Sequence, residues 1–181
     1  MRNKNKSHFL LLFCVVAFGA ILRFVPHPPN FSAVTAMALF GGAYFKKRYA
    51  LIVPLAVIFL SDFFIGFYSW KLMTAVYGSF MVSGLIGTWL KTREKVQFIA
   101  FASIVSSIFF FVVTNFAVWA FSPWYEKSVS GLLQCYFMAL PFLKNTLTGD
   151  LFYSTVFFGG YALISAKLNF LAQSKNRVVS Y

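Results

Sequence analysis

The chain has 181 residues, 60% of them hydrophobic and 21% aromatic but only 11% charged, with a mean hydropathy of +0.74. Soluble domains carry roughly 25% charged residues. Here long apolar runs alternate with short basic clusters, which excludes an amphipathic soluble bundle and, with no strictly alternating strands, a membrane β-barrel. The net charge of +12 is no sign of nucleic-acid binding in such a chain, because lysines and arginines mark the cytoplasmic loops of a polytopic membrane protein.

The pattern predicts an all-α transmembrane bundle of six spans in a single domain over residues 1–181. The first twenty residues have the basic start and apolar core of a signal peptide. Ala17 and Gly19 make a poor cleavage pair, so the segment is read as an uncleaved span over 8–25. Pro26, Pro28 and Pro29 stop it, since proline disfavours helix in the residue before it. Span 2, over 31–45, is short and rich in small residues, and Lys46, Lys47 and Arg48 close it. Span 3 covers 49–68 with Pro54 tolerated early, and span 4 covers 72–90, ending at Lys91 to Lys95. Span 5, over 96–121, would reach about 38 Å, beyond the ~30 Å hydrocarbon core, and must tilt or protrude. The apolar stretch 131–140 is too short to cross. With Pro141 after it, it is expected to be a re-entrant or interfacial half-helix. Span 6 runs over 146–168.

Loop charges orient the chain. Arg2, Lys4, Lys6, Lys46, Lys47, Arg48, Lys91, Arg93, Lys95, Lys167, Lys175 and Arg177 fall on one side, twelve of the sixteen basic residues. Arg23, Lys71, Lys127 and Lys144 fall on the other. The positive-inside rule then puts both termini in the cytoplasm of a multi-pass inner-membrane protein.

That topology sends the unusual polar residues to one half of the bilayer. Arg23, His27 and Asn30 lie at the outer end of span 1 and its loop, Asp62 toward the outer end of span 3, Asn115 and Trp119 in outer span 5, and Asn145 and Asp150 at the start of span 6. An ionised residue in the bilayer core costs about 2.5–3.5 kcal/mol on insertion scales, so Arg23, Asp62 and Asp150 need partners or water. Two readings stay open. Arg23 pairs with an aspartate as helix glue, or all eight residues line an outward-facing ligand cavity with the 23–30 loop as its lid. Trp119, one turn from Asn115, is the candidate for stacking on a ligand ring.

Most other aromatics fit interfacial belts: Trp70, Trp124 and Tyr125 outside, and Tyr44, Tyr49 and Trp89 inside. Ser79, Ser83 and Gly87 in span 4 form a small-residue stripe, and Ala38 and Gly42 in span 2 a shorter one, for close packing within the bundle or against a partner. Cys14 and Cys135 both sit in apolar runs and are expected as buried free thiols. Two histidines are too few for a typical zinc site, no cofactor motif is present, and nothing marks a catalytic nucleophile. An intramembrane lipid-acting enzyme using His27 with an aspartate ranks last. With no nucleotide motif, ATP-driven transport would need a separate subunit.

Two blocks, residues 23–45 and 145–159, together with Leu60-Ser-Asp62 and Thr114-Asn-Phe-Ala-Val-Trp119, resemble a bacterial family of small integral-membrane proteins classed as transport proteins. More distantly, the chain looks like the S-components of energy-coupling-factor transporters. That likeness implies a six-helix, vitamin-binding subunit that borrows its ATPases from a coupling partner. One departure is plain: S-components often carry Ala-x-x-x-Ala in helix 1, whereas Ala17 and Ala20 are three apart. The expected partners are the lipid bilayer, a small organic nutrient and a coupling subunit. The alternative is a structural or assembly protein.

Overall fold

The computed structural model describes residues 2–45 and 47–178, with the backbone alone at 2–9, 11, 47–50, 53 and 172–178. The helices are α1 (Arg2–Leu22), α2 (Val34–Tyr44), α3 (Lys47–Ile65), α4 (Trp70–Leu90), α5 (Val96–Phe121), α6 (Val129–Ser154) and α7 (Gly160–Val178). A π-helical segment, Thr155–Gly159, joins α6 to α7 without a break, so the described residues form six helical rods and no strand.

The outer surface of the bundle is unlike that of a soluble protein. Large apolar side chains such as Phe63, Phe64, Leu133 and Leu163 are exposed, while Ser79, Ser83, Ser103, Ser106 and Ser107 are fully buried. Small and hydroxylated residues let helices approach where water supplies no driving force, and the apolar rim suits a lipid solvent. Three rods are long and apolar enough to cross a membrane: Trp70–Leu90, Val96–Phe121 and Val129–Leu171.

The centre of the bundle is α2. Residues 34–43 are all buried, and the helix packs most extensively on α4 and also touches α1, α3, α5, α6 and the π segment. Its eleven residues span only about 16 Å, and the proline loop leads into it. Asn30, with φ 63°, turns that loop through the left-handed region that asparagine tolerates. The stripe Ser79, Ser83, Gly87 of α4 belongs to this interior, with Gly87 directly against the Leu39 backbone.

One expectation is overturned. The stretch 131–140 is not a separate half-helix: it is the first part of α6, which continues through Pro141 to Ser154. Ending a helix there would strand unpaired backbone groups on both sides, whereas proline inside it removes a single hydrogen bond. Cys135 contacts Asn115 and Asp150 contacts Ser107, so α6 packs antiparallel on α5 on both sides of Pro141. The rod Val129–Leu171 is about 64 Å long and must tilt or project well beyond a bilayer.

Two ends of the bundle can be distinguished. At one, the hairpin end, Arg23 meets Asp62 and Lys71 lies 5.2 Å from the Phe121 ring. At the other, Tyr44 packs 4.3 Å from Tyr161 and against Phe40 and Phe158, so it is a core aromatic rather than a belt residue. Both cysteines are free, but Cys14 is exposed on the rim rather than buried. The side chains of Tyr49, Arg2, Lys4, Lys6, Lys46, Lys47, Arg48, Lys175 and Arg177 lie outside the described residues.

Candidate functional site

The eight candidate polar residues sort into separate clusters. The first joins Arg23 at the end of α1 to Asp62 on α3. Arg23 Nη2 donates to Asp62 Oδ1 at 2.6 Å, and Nη1 donates to Ser61 Oγ at 2.7 Å and to the Ile58 carbonyl at 3.3 Å. Tyr77 of α4 donates to the second carboxylate oxygen, Oδ2, at 2.5 Å. Both oxygens of Asp62 are thereby engaged, and three helices are tied at one point. Gly66, at φ 117°, caps α3 by donating to the Asp62 carbonyl, which fixes that turn. A shallow apolar recess of about 160 Å³ lies beside the pair, lined by Phe24, Leu60 and Phe64 among others.

The second cluster surrounds Asp150, which is 2% exposed. Ser107 lies 2.6 Å from its Oδ2, and Thr35 at the start of α2 is the other hydroxyl beside it. Ser107 Oγ also lies 2.9 Å from the Ser103 carbonyl, and Ser103 Oγ lies 2.7 Å from Ser154 Oγ. The spacing explains the arrangement. Ser103 and Ser107 are four apart on α5, Asp150 and Ser154 four apart on α6, and antiparallel pairing sets them face to face. Ser106 Oγ is buried with no partner. Unlike Asp62, Asp150 has no cation: Arg23–Asp62 is the one ion pair among the described residues.

The remaining residues stand apart from both clusters. Asn115 donates to the Phe111 carbonyl of its own helix at 2.8 Å. Trp119 Nε1 donates to the Glu126 carbonyl at 2.9 Å, and Lys127 bonds to the Trp119 carbonyl and lies 6.0 Å over its ring. Together they close the C-terminus of α5, where a cation suits the helix dipole. His27 and Asn30 are exposed on the proline loop, with His27 Nδ1 3.0 Å from the Pro28 carbonyl. Asn145 of α6 holds that loop by donating to the Pro29 carbonyl at 3.0 Å. Asn145→Ala is expected to cost about 1 kcal/mol and to speed proteolytic cutting in the loop without changing the helix content, as limited proteolysis with circular dichroism would read.

The larger pocket, about 190 Å³, opens at the opposite end of the bundle, between the start of α5 and the π segment. Ile99, Ala100, Leu151, Phe158 and Ala162 give it apolar walls, Glu94 and Tyr44 stand at one side, and Ser154 connects it to the Asp150 cluster. Sequence reasoning missed this pocket and the hydroxyls that serve Asp150. The four-residue spacing of Ser103 and Ser107 was the available signal, the same spacing that marked Ser79 and Ser83.

Exposed apolar flanks, serine-rich contacts between helices and three rods of membrane length define a helical membrane protein. Within that class the chain belongs to DUF6580, a family of unknown function whose profile matches residues 3–173. No curated protein and no solved structure matches it, so no named relative stands behind the likeness to energy-coupling-factor S-components.

Proposed function

We propose that this protein is the membrane-embedded, substrate-handling component of an uptake system for a small, largely apolar organic nutrient. The pocket at the π segment carries the reading. Bundle proteins hold ligands between helices, in apolar clefts with a few polar groups, and π segments recur at functional sites because they widen the helix. On the positive-inside assignment there are six spans in the inner membrane with both termini cytoplasmic. The pocket then faces the cytoplasm beside Lys91, Arg93 and Lys95, where substrate would be released. The proline loop, with His27 and Asn30 exposed, forms the outer surface that substrate meets first. The chain carries no nucleotide motif, so energy comes from a coupling subunit or from an ion gradient.

The second reading is a structural or assembly protein. The closed Arg23–Asp62–Tyr77 cluster favours it, because both carboxylate oxygens and both terminal guanidinium nitrogens already have partners. It gives no account of Asp150, an acid buried without a cation at a cost that packing alone has no reason to keep.

Thermal-shift screening of the purified protein against vitamins and aromatic metabolites separates the two. A stabilising ligand is expected, and Ala100→Phe, which fills the pocket, is expected to abolish its shift while Asn115→Ala leaves it. A blank panel, together with unchanged uptake in cells carrying Ala100→Phe, would end the transport reading.

A further inference from the structure

We propose that Asp150 is a proton-binding site, coupled through Ser103 to the pocket at the π segment. The inference rests on a carboxyl buried with no cation beside it among the described residues, and on the hydrogens within its reach. Ser107 has one hydroxyl hydrogen, yet its Oγ lies 2.6 Å from Asp150 Oδ2 and 2.9 Å from the Ser103 carbonyl. A carboxylate and a carbonyl both only accept. With Asp150 ionised, Ser107 shares its single hydrogen between the two acceptors, as Thr148 shares its own between the Lys144 and Asn145 carbonyls, and the buried carboxylate has no cation beside it among the described residues. With a proton on Asp150, its O–H donates to Ser107 Oγ and Ser107 donates to the Ser103 carbonyl, so both contacts are hydrogen bonds.

The surroundings agree. α2 places Thr35 beside the carboxyl, α5 faces it with Ser107, and α6 itself carries Tyr153; none of these brings a charge. Arg23 is committed to Asp62. Among the described residues no three acidic, histidine or cysteine side chains come together.

Ser103 links the two places. Its carbonyl faces Ser107 and its hydroxyl faces Ser154 on the pocket wall. Loss of the proton needs a water that enters from the pocket between α5 and α6 as its acceptor; it breaks the Asp150 O–H bond and leaves a carboxylate with only hydroxyl donors. This deepens the transport reading by naming what the buried acid binds, but its test does not depend on finding a substrate.

The test is infrared spectroscopy of the full-length protein at neutral pH in an ester-free detergent. The chain has only two aspartates, Asp62 and Asp150. A protonated-acid carbonyl band is expected in the wild type. It should shift on ¹³C labelling of aspartate, persist in Asp62→Asn and vanish in Asp150→Asn. Labelling needs no mutation, so it holds even where Asp150→Asn fails to fold. A wild-type spectrum with carboxylate bands only, or an acid band that ignores the label, overturns the proposal. Ligand shifts alongside a carboxylate-only spectrum would sink this inference and leave the transport reading standing; an acid band with a blank ligand panel does the reverse.

Discussion

Arg23→Met is expected to destabilise the bundle by about 3–5 kcal/mol, the usual cost of leaving one member of a buried ion pair alone. Asp62 is 4% exposed and would keep only the Tyr77 hydroxyl as a donor. Asp62→Leu should cost less. Arg23 is 17% exposed, still reaches Ser61 and the Ile58 carbonyl, and can extend its long stem toward the polar end of the bundle. Arg23→Met combined with Asp62→Leu should recover most of the loss, because an apolar pair removes the uncompensated charge. Equilibrium unfolding of the four proteins in micelles gives the coupling directly. Simple additivity would mean that the two side chains do not act as a pair. Uptake by the double variant then decides what Arg23 is for: retained transport makes it helix glue, and lost transport in a stable protein returns it to the ligand path.

That cluster was partly legible in the sequence. An arginine and an aspartate in apolar spans, 39 residues apart, each needed a partner, and span topology put them at the same end. Helix α5 was read to the residue, because Lys95 and Ser122-Pro123 flank an unbroken apolar run. Asn115 and Trp119 show the limit of such reading. A polar side chain in an apolar segment signals a need for a hydrogen bond, but not where it is met. Asn115 meets it on its own helix four residues back, and Trp119 meets it in the loop that closes α5.

Pro141 misled for a related reason. Proline is a local stop signal, but in an apolar setting the backbone groups freed by stopping weigh more than one missing bond. Asp150 was picked out by its charge, whereas its serine partners were not. Hydroxyls barely disturb a hydropathy profile, and only antiparallel pairing of α5 with α6 brings Ser107 and Ser154 into one row. The π segment left no local mark beyond Gly159 and Gly160.

The close contact of α2 with α4 carries the other large effect. A Cβ added at Gly42 would lie 2.8 Å from the Gly87 Cα, and one added at Gly87 would lie 2.9 Å from the Leu39 Cα. Both obstacles are backbone, so no side chain can swing aside and the helices must separate. Overpacking a core usually costs about 1–3 kcal/mol; Gly42→Ala and Gly87→Ala should reach the top of that range or exceed it. Gly78→Ala, on the same helix α4, is the control. Nothing lies within 4 Å of its Cβ, so it should be neutral or gain part of the ~0.5–1 kcal/mol that alanine holds over glycine in a helix. Melting curves of the three variants test the ranking, and a Gly42→Ala protein that melts with Gly78→Ala would show that α2 does not seat on α4 as described. The effect should also travel. The first turn of α2 sets Thr35 beside Asp150, so displacing α2 changes the surroundings of that carboxyl, and the acid carbonyl band of Gly42→Ala should move while that of Gly78→Ala stays in place.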